Sequence, residues 1–369
     1  MNTISEKKYA LALSMVKNIG PHTYKKIIDN NGGVANFFVE RQANSRLLAT
    51  KNAAHALLPD ASSLLYSHEE KSISVMAYGD NTYPKRLAQI YNPPKMLYAS
   101  NDGAHLDDQR MVAVVGTREA TPYGKKFVKE LISELSCYGV TIVSGLAYGI
   151  DICAHQAALA EGLPTVAVIG SGLDMIYPFP HTKYIDAINQ NGCVVTEHPL
   201  GTKAEKHHFP IRNRIIAGLV DAVIVVEGGM KSGALLTAKH ANDAGREVFA
   251  LPGDIAHEKS KGCHHLIKNH QAHLITAGAD IAYLMSWEAS VPGQVTHQEA
   301  AMDGYLQDLN EKERNIIRIL QQEKKLNLDA LSAQSALSVE ALLPMMLQLA
   351  MKKCIDILPG NQYQYCYNS

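Results

Sequence analysis

The chain is patterned as short runs of consecutive apolar residues, most of them ending in glycine and separated by stretches of helical spacing. Val112 to Val115 is one such run, and uninterrupted apolar residues suit a strand buried on both faces, as in a parallel sheet. Gly116 stops it. A glycine there lets the backbone turn sharply and approach a ligand closely, and Thr121 with Pro122 then supplies an N-cap and a first-turn proline for a helix. The punctuation recurs in VTIVSG (140–145), TVAVIGSG (165–172), CVVTE (193–197), AVIVVEGG (222–229) and VFALPG (248–253). Strands alternating with helices at this spacing predict an α/β fold with a doubly wound parallel sheet. The strand tips of such a sheet gather along one edge, where ligands bind, so the loops after Val115, Val143, Ile169, Val226 and Leu251 form the expected binding face.

On either side the pattern changes. Leu11, Leu13, Val16 and Ile19 lead through Gly20-Pro21 into Tyr24, Ile27 and Ile28, a helix-turn-helix sequence similar to a helix-hairpin-helix, whose turn offers backbone amides to a phosphate. A plain helix-helix turn without a ligand is the equal alternative. A second helical piece, 43–58, completes a small bundle. Residues 72–102 contain Pro84, Pro93 and Pro94, which break any long helix, and read as a strand and turns packed on the edge of the main domain. Past a polar stretch at 286–301, helices are expected at 311–321, 326–333 and 338–351, followed by a hairpin with a Pro-Gly-Asn turn, an order that suggests a winged helix. Its expected recognition helix, VEALLPMMLQLA (339–350), carries almost no basic side chain, which favours a protein contact over duplex DNA. The predicted division is therefore 1–66 helical, 67–109 a connecting extension, 110–286 the parallel-sheet domain, 287–304 a linker and 305–369 winged-helix-like.

Composition adds limits. The 369 residues contain 35 Lys and Arg against 36 Asp and Glu, so no global field marks a polyanion partner and any nucleic-acid site must be a local patch. The six cysteines are scattered without CxxC pairs, several inside apolar runs, which predicts reduced thiols in a cytoplasmic protein. No signal peptide or membrane-length apolar run is visible, and no membrane association is expected.

The patch is at 201–218, GTKAEKHHFPIRNRIIAG, where Lys203, Lys206, Arg212 and Arg214 face a single acid, Glu205. Phe209 stands among them. Cations for backbone phosphates and a ring for a base are what single-stranded nucleic acid needs. Arg214 is expected instead to pair with Glu197 or Glu227. Arg118, beside a helix N-terminus, and Thr117 flank the first strand tip. Ser144 and Gly145 offer a hydroxyl and an amide at the second, with Asp151 placed to cap the helix carrying a core His155. Ser232 and Gly233 start a helix after a glycine-rich loop and make an anion seat, but the loop lacks the GKS or GKT ending of an ATP-hydrolysing P-loop. Gly170 and Gly172 form only part of a dinucleotide fingerprint, so no NAD and no other cofactor is expected. The run CHHLIKNHQAH (263–273) fits no common zinc spacing, and no metal is expected.

VAVVGTREATPYG, SGLAYGID with His155, GSGLDMIYP, TEHPLGT, FPIRNRIIAGL, SGALLTAKHANDAGREVFALPG and GCHHLIK, in this order, resemble the DNA-processing protein A (DprA/Smf) family. The resemblance implies an extended Rossmann fold, a homodimer, and sequence-tolerant binding of single-stranded DNA. It also implies protection of incoming DNA in natural transformation and loading of the RecA recombinase, with no catalysis. Arg118 matches the family's phosphate-contacting arginine, and Lys206 and Phe209 match the lysine and phenylalanine of its DNA pocket. Ser144, Gly145, Ser232 and Gly233 match positions around that pocket, and Thr117 replaces the usual serine. The competing expectation is a nucleoside-monophosphate-binding or hydrolysing enzyme of the lysine-decarboxylase-like Rossmann group. Those enzymes carry PGGxGTxxE, whereas this chain reads EGGMKSGALLTA with an apolar residue at the catalytic acid position.

Overall fold

Glycine and proline set the breaks of the N-terminal helices. In the computed structural model, which describes residues 3–39, 44–289, 311–323, 326–335, 337–351, 355–358 and 362–365, α1 (Thr3–Met15) is followed by α2 (Pro21–Asn31). Helix α2 starts on Pro21 and stops at Gly32, whose φ of 65° places it in the left-handed region that glycine adopts without strain. Then come α3 (Val34–Val39), α4 (Ser45–Ala56) and α5 (Leu58–Glu69). Tyr24, Ile27, Ile28 and Phe37 are buried in the same apolar cluster as Met76, Leu97, Met111 and Val115. The first segment thus shares its core with the sheet that follows.

The extension at 67–109 contributes β1 (Ser74–Ala77), α6 (Lys85–Ala88) and β2 (Met96–Ala99). The central domain then alternates as the apolar runs predict. Its strands are β3 (Met111–Val115), β4 (Thr141–Ser144), β5 (Thr165–Val168), β6 (Gly192–Thr196), β7 (Ala222–Val225), β8 (Glu247–Ala250) and β9 (His273–Leu274). Between and after them lie α7 (Pro122–Leu135), α8 (Ile150–Ala160), α9 (Ile185–Gln190), α10 (His208–Leu219), α11 (Gly233–Asp243), α12 (Lys261–Lys268) and α13 (Gly278–Leu284). Among the described residues the strands form one sheet in the order β1-β2-β6-β5-β4-β3-β7-β8-β9. From β6 to β9 all neighbours are parallel, while β2 runs antiparallel to β6 and β1 antiparallel to β2.

Side chains of β3 divide by parity, as the period of a strand requires. Val112 and Val114 pack against Phe127, Val128, Leu131 and Ile132 of α7 and Ala154 of α8. Ala113 and Val115 face the opposite cluster, with Ile215 and Ile216 of α10 and Ala238 of α11. Both faces are covered, which explains the unbroken apolar run. Strands β4, β5 and β6 step away on one side of β3 and β7, β8 and β9 on the other, so the topological switch lies between the carboxyl ends of β3 and β7.

Contacts divide the chain into two compact units, Met1–Ser290 and Val291–Ser369. In the second, helices Glu311–Glu323, Leu328–Ser335 and Val339–Met351 bury Ile316, Leu320, Leu331, Leu342 and Met346 together with Ile355 and Tyr363. Strands Ile355–Leu358 and Gln362–Tyr365 pair antiparallel, and Leu326–Asn327 adds to the latter. The linker from residue 290 to 304 and the Pro359-Gly360-Asn361 turn lie outside the described residues. Among the described residues no helix is long and apolar enough to cross a membrane.

Candidate functional site

The loop after β3 is fixed from below by Glu227. This buried carboxylate accepts hydrogen bonds from the Thr121 N–H (2.9 Å) and the Thr121 hydroxyl, and its carbonyl accepts from the Thr117 N–H at 2.7 Å. Thr121 in turn caps α7, accepting from the Gly124 N–H at 3.2 Å. Gly149 completes the clamp. Its φ of 79° and the absence of a side chain let the start of α8 approach the Thr117–Arg118 backbone, where a Cβ would overlap the Thr117 carbonyl. The Ile150 N–H then donates to that carbonyl at 3.2 Å. Residues 117 and 118 are thereby held between three elements, and the exposed Arg118 side chain projects from a rigid base.

Arg118 meets Phe209. The guanidinium carbon lies 5.3 Å from the Phe209 ring centre, within the range of a cation–π contact. Phe209 is in the first turn of α10 and only partly buried, and its ring also packs on Tyr177, 5.5 Å between centres. Tyr177 also lines a groove of about 450 Å³, together with Met175, Phe179, Thr182 and Lys203 and one acid, Asp174. Lys206 is exposed two residues before α10. Among the described residues, neither Arg118, Lys203 nor Lys206 has a carboxylate partner. Unpaired cations beside exposed rings can meet a polyanion and stack its bases.

Other expected contacts are turned inward. Arg212 is 4 % exposed, and its guanidinium donates to the Val168 carbonyl beside Asp151. Burial pulls its pKa down to about 10, opposed by the Asp151 carboxylate, so it stays cationic at neutral pH. Asp151 is likewise buried, which raises its pKa; Arg212 and the Ala147 and Gly145 amides work in the other direction. This corrects the expectation that Asp151 caps α8: Gly149 occupies the N-cap, and the carboxylate folds back onto the loop to balance Arg212. Gly145 is a glycine because a Cβ would overlap that guanidinium, and its amide is spent on Asp151. Ser144 is buried and donates to the Val114 carbonyl at 2.7 Å.

Thr117 is partly buried, its hydroxyl accepting from the Glu119 N–H at 3.3 Å. Ser232 caps α11 through the Ala234 N–H, and Gly233 lies beside α10, its carbonyl accepting from the Asn213 amide at 3.2 Å. Arg214 pairs with Glu197 at 2.5 Å, one of the two acids expected for it. His155 is a core residue: its Nδ1 meets the Thr165 hydroxyl at 2.7 Å. Gly170 and Gly172 serve chain packing. The Gly172 N–H donates to the Thr202 carbonyl at 2.8 Å, and a Cβ there would be 2.7 Å from the Pro199 carbonyl. The structure therefore brings together Arg118 and Phe209, adds Tyr177, which sequence reasoning missed, and places Arg212, Ser144 and Gly145 beneath the surface. The missed signal was YPFP at 177–180, where Tyr177 and Phe179 flank the Pro178 N-cap of a 3₁₀ turn and both rings face solvent.

The family model for DNA recombination-mediator protein A matches residues 74–286. Protein Smf of Synechocystis sp. is 32 % identical over 98 % of this chain and 99 % of its own length. Among solved structures, DNA processing protein A of Streptococcus pneumoniae superposes with a TM-score of 0.64 at 36 % identity, covering 76 % of this chain and 96 % of that one. DNA processing protein A of Helicobacter pylori, described for its single-stranded DNA binding mode, gives 0.53 at 33 % identity over 58 % and 97 %.

Proposed function

From the premise that the chain belongs to the DNA recombination-mediator protein A family, we propose that it binds single-stranded DNA without regard to sequence at the Arg118–Phe209 edge. The observation that carries this reading is the Arg118 cation 5.3 Å from an accessible phenyl ring, at the carboxyl edge of a doubly wound sheet. Arg118 and Lys206 meet backbone phosphates, Phe209 stacks on a base, and Tyr177 supports the ring. Thr117, Ser232 and Gly233 border the track. Arg212, Ser144 and Gly145 contribute by shaping the floor under it. The rigid base under Arg118 suits binding, because a loop held in advance loses little freedom when the strand docks.

The protein acts as a non-enzymatic, cytoplasmic homodimer that protects incoming single strands and loads the RecA recombinase onto them. Glu227, at the start of the glycine-rich loop, engages its carboxylate with the N–H and hydroxyl of Thr121, the N-cap of α7, and this supports a structural role for that acid over proton donation in nucleotide hydrolysis. The test is binding of the purified protein to oligo-dT over a range of salt, followed by RecA filament formation on the coated strand. Binding that weakens steeply with salt supports the reading. Undiminished affinity after combined Arg118→Ala and Lys206→Ala replacement removes the site. Failure to seed RecA filaments removes the loading role alone.

A further inference from the structure

Lys206 lies within a short sequence that carries metal-ligand chemistry, Glu205-Lys206-His207-His208. The His208 N–H donates to the Glu205 carbonyl at 3.0 Å, closing a turn at the start of α10. One ligand atom from each of Glu205, His207 and His208 then lies within 4.8 Å of the other two. His207 Nδ1 and Glu205 Oε2 are already 3.3 Å apart, about the separation of two ligands on a tetrahedral Zn2+ with bonds near 2.1 Å. Glu205 and His207 are exposed, so turning these two side chains toward a shared ion displaces little packing.

His208 is the oriented member. It is 8 % exposed, and its Nδ1 sits 3.0 Å from the Gly170 carbonyl. A carbonyl can only accept, so Nδ1 carries the proton and Nε2 keeps its lone pair. That is the outer hydrogen bond by which proteins fix the tautomer and direction of a metal-bound histidine. Its ring is further held between His198 and His207, at 4.1 Å and 4.4 Å between centres.

We propose that Glu205, His207 and His208 form a site for a divalent transition metal of the zinc class, three protein ligands with a fourth position open to water or to a phosphate oxygen. Two imidazoles and one carboxylate are a donor set that zinc accepts when it keeps an open position. The ion ties together the residues on both sides of Lys206 and immediately before Phe209, so it stiffens the cationic loop and adds positive charge to it. That consequence rests on the single-stranded DNA reading; the metal site itself does not.

The test uses the full chain with Co2+ as a spectroscopic stand-in for Zn2+. One equivalent is expected to give visible d–d absorption of low-coordinate cobalt, discharged by one equivalent of Zn2+. His207→Ala and Glu205→Gln, both at exposed positions, should each weaken binding about tenfold or more, and His208→Gln should do so at least as strongly. His264→Gln with His265→Gln, in the separate histidine-rich run, should leave the signal unchanged. Absence of the bands, or bands indifferent to His207→Ala and Glu205→Gln, overturns the site. In the second arm, oligo-dT affinity is measured with Zn2+ and with a chelator. Tighter binding with Zn2+ that disappears in His207→Ala supports the coupling, and equal affinity in a protein that shows the cobalt bands overturns it. Cobalt bands without any oligo-dT binding sink the DNA reading and leave the metal site standing.

Discussion

Arg118 and Phe209 stand 5.3 Å apart, guanidinium carbon to ring centre, although one follows the first strand of the parallel sheet and the other opens a helix far along the chain. The contact orients both groups: the ring's negative face holds the cation, and the cation keeps the ring at the surface. Removing either should therefore cost more than its own contact with a ligand.

Phe209→Ala is expected to weaken oligo-dT binding by about 1 to 3 kcal/mol, roughly 5- to 150-fold, the worth of one stacked base. Phe209→Trp should keep most of the affinity, since any flat ring stacks. A double-mutant cycle of Arg118→Ala with Phe209→Leu should show a coupling of about 0.5 to 1 kcal/mol, the size of an exposed cation–π pair. Fluorescence anisotropy at one fixed salt concentration measures all three, and additivity of the two single changes would deny the pair a joint role.

Lys206→Ala should lower the slope of log affinity against log salt by about 0.7, the counterion released per phosphate of a single strand. Lys126 provides the control. It is exposed on α7 and lies 3.6 Å from Glu130, so Lys126→Ala should leave the slope where it was. Equal slopes for the two variants would take Lys206 out of the DNA track.

How far these residues could be read beforehand depended on what each signal encodes. The unbroken apolar runs encode burial on two faces, and strands β3 to β8 follow them closely, with the Thr121 cap and Pro122 start where local chemistry puts them. Arg118 and Phe209 were legible as residue types in a glycine-rich and a cationic stretch, but their contact is a product of the sheet order. Arg212 went astray for a related reason. Charge in a polar stretch predicts exposure, yet Asp151, from the first turn of α8, supplies the counter-charge that lets this arginine be buried. The cluster of Glu205, His207 and His208 shows no ligand spacing in the sequence, because it is the turn opening α10 that draws the three side chains together, whereas composition alone makes the longer histidine run at 263–273 conspicuous. There the described histidines diverge, His264 to the Gly253 carbonyl and His273 to Glu247.

Arg212→Met should cost about 3 to 5 kcal/mol of stability, because it leaves the Asp151 carboxylate buried without its cation. Adding Asp151→Asn should recover part of the loss. Urea unfolding gives both values. The salt slope of oligo-dT binding by the folded protein should keep its original value in Arg212→Met, since a guanidinium that meets no phosphate releases no counterion. A reduced slope would return Arg212 to the DNA track.

His155 supplies a test by pH. Its Nδ1–H donates to the Thr165 hydroxyl, whose own hydrogen goes to the Ile142 carbonyl, while its Nε2 is buried without a hydrogen-bond partner among the described residues. Burial, reinforced by the nearby Arg212 charge, pushes its pKa down to about 3 from the ordinary value of 6.5. The folded state therefore binds this proton later than the unfolded chain does. Its contribution is fully present above about pH 6.5 and is lost as pH falls toward 3, with a slope approaching about 1.4 kcal/mol per unit inside that window. His68, His198 and His240 are shifted the same way by burial, so the wild-type slope sums several groups. Replacing His155 by Gln isolates one of them: unfolding free energies measured between pH 7 and pH 4.5 should fall less steeply in the variant, by one proton's share. Parallel curves would mean that His155 titrates normally and that water or an anionic group reaches its ring.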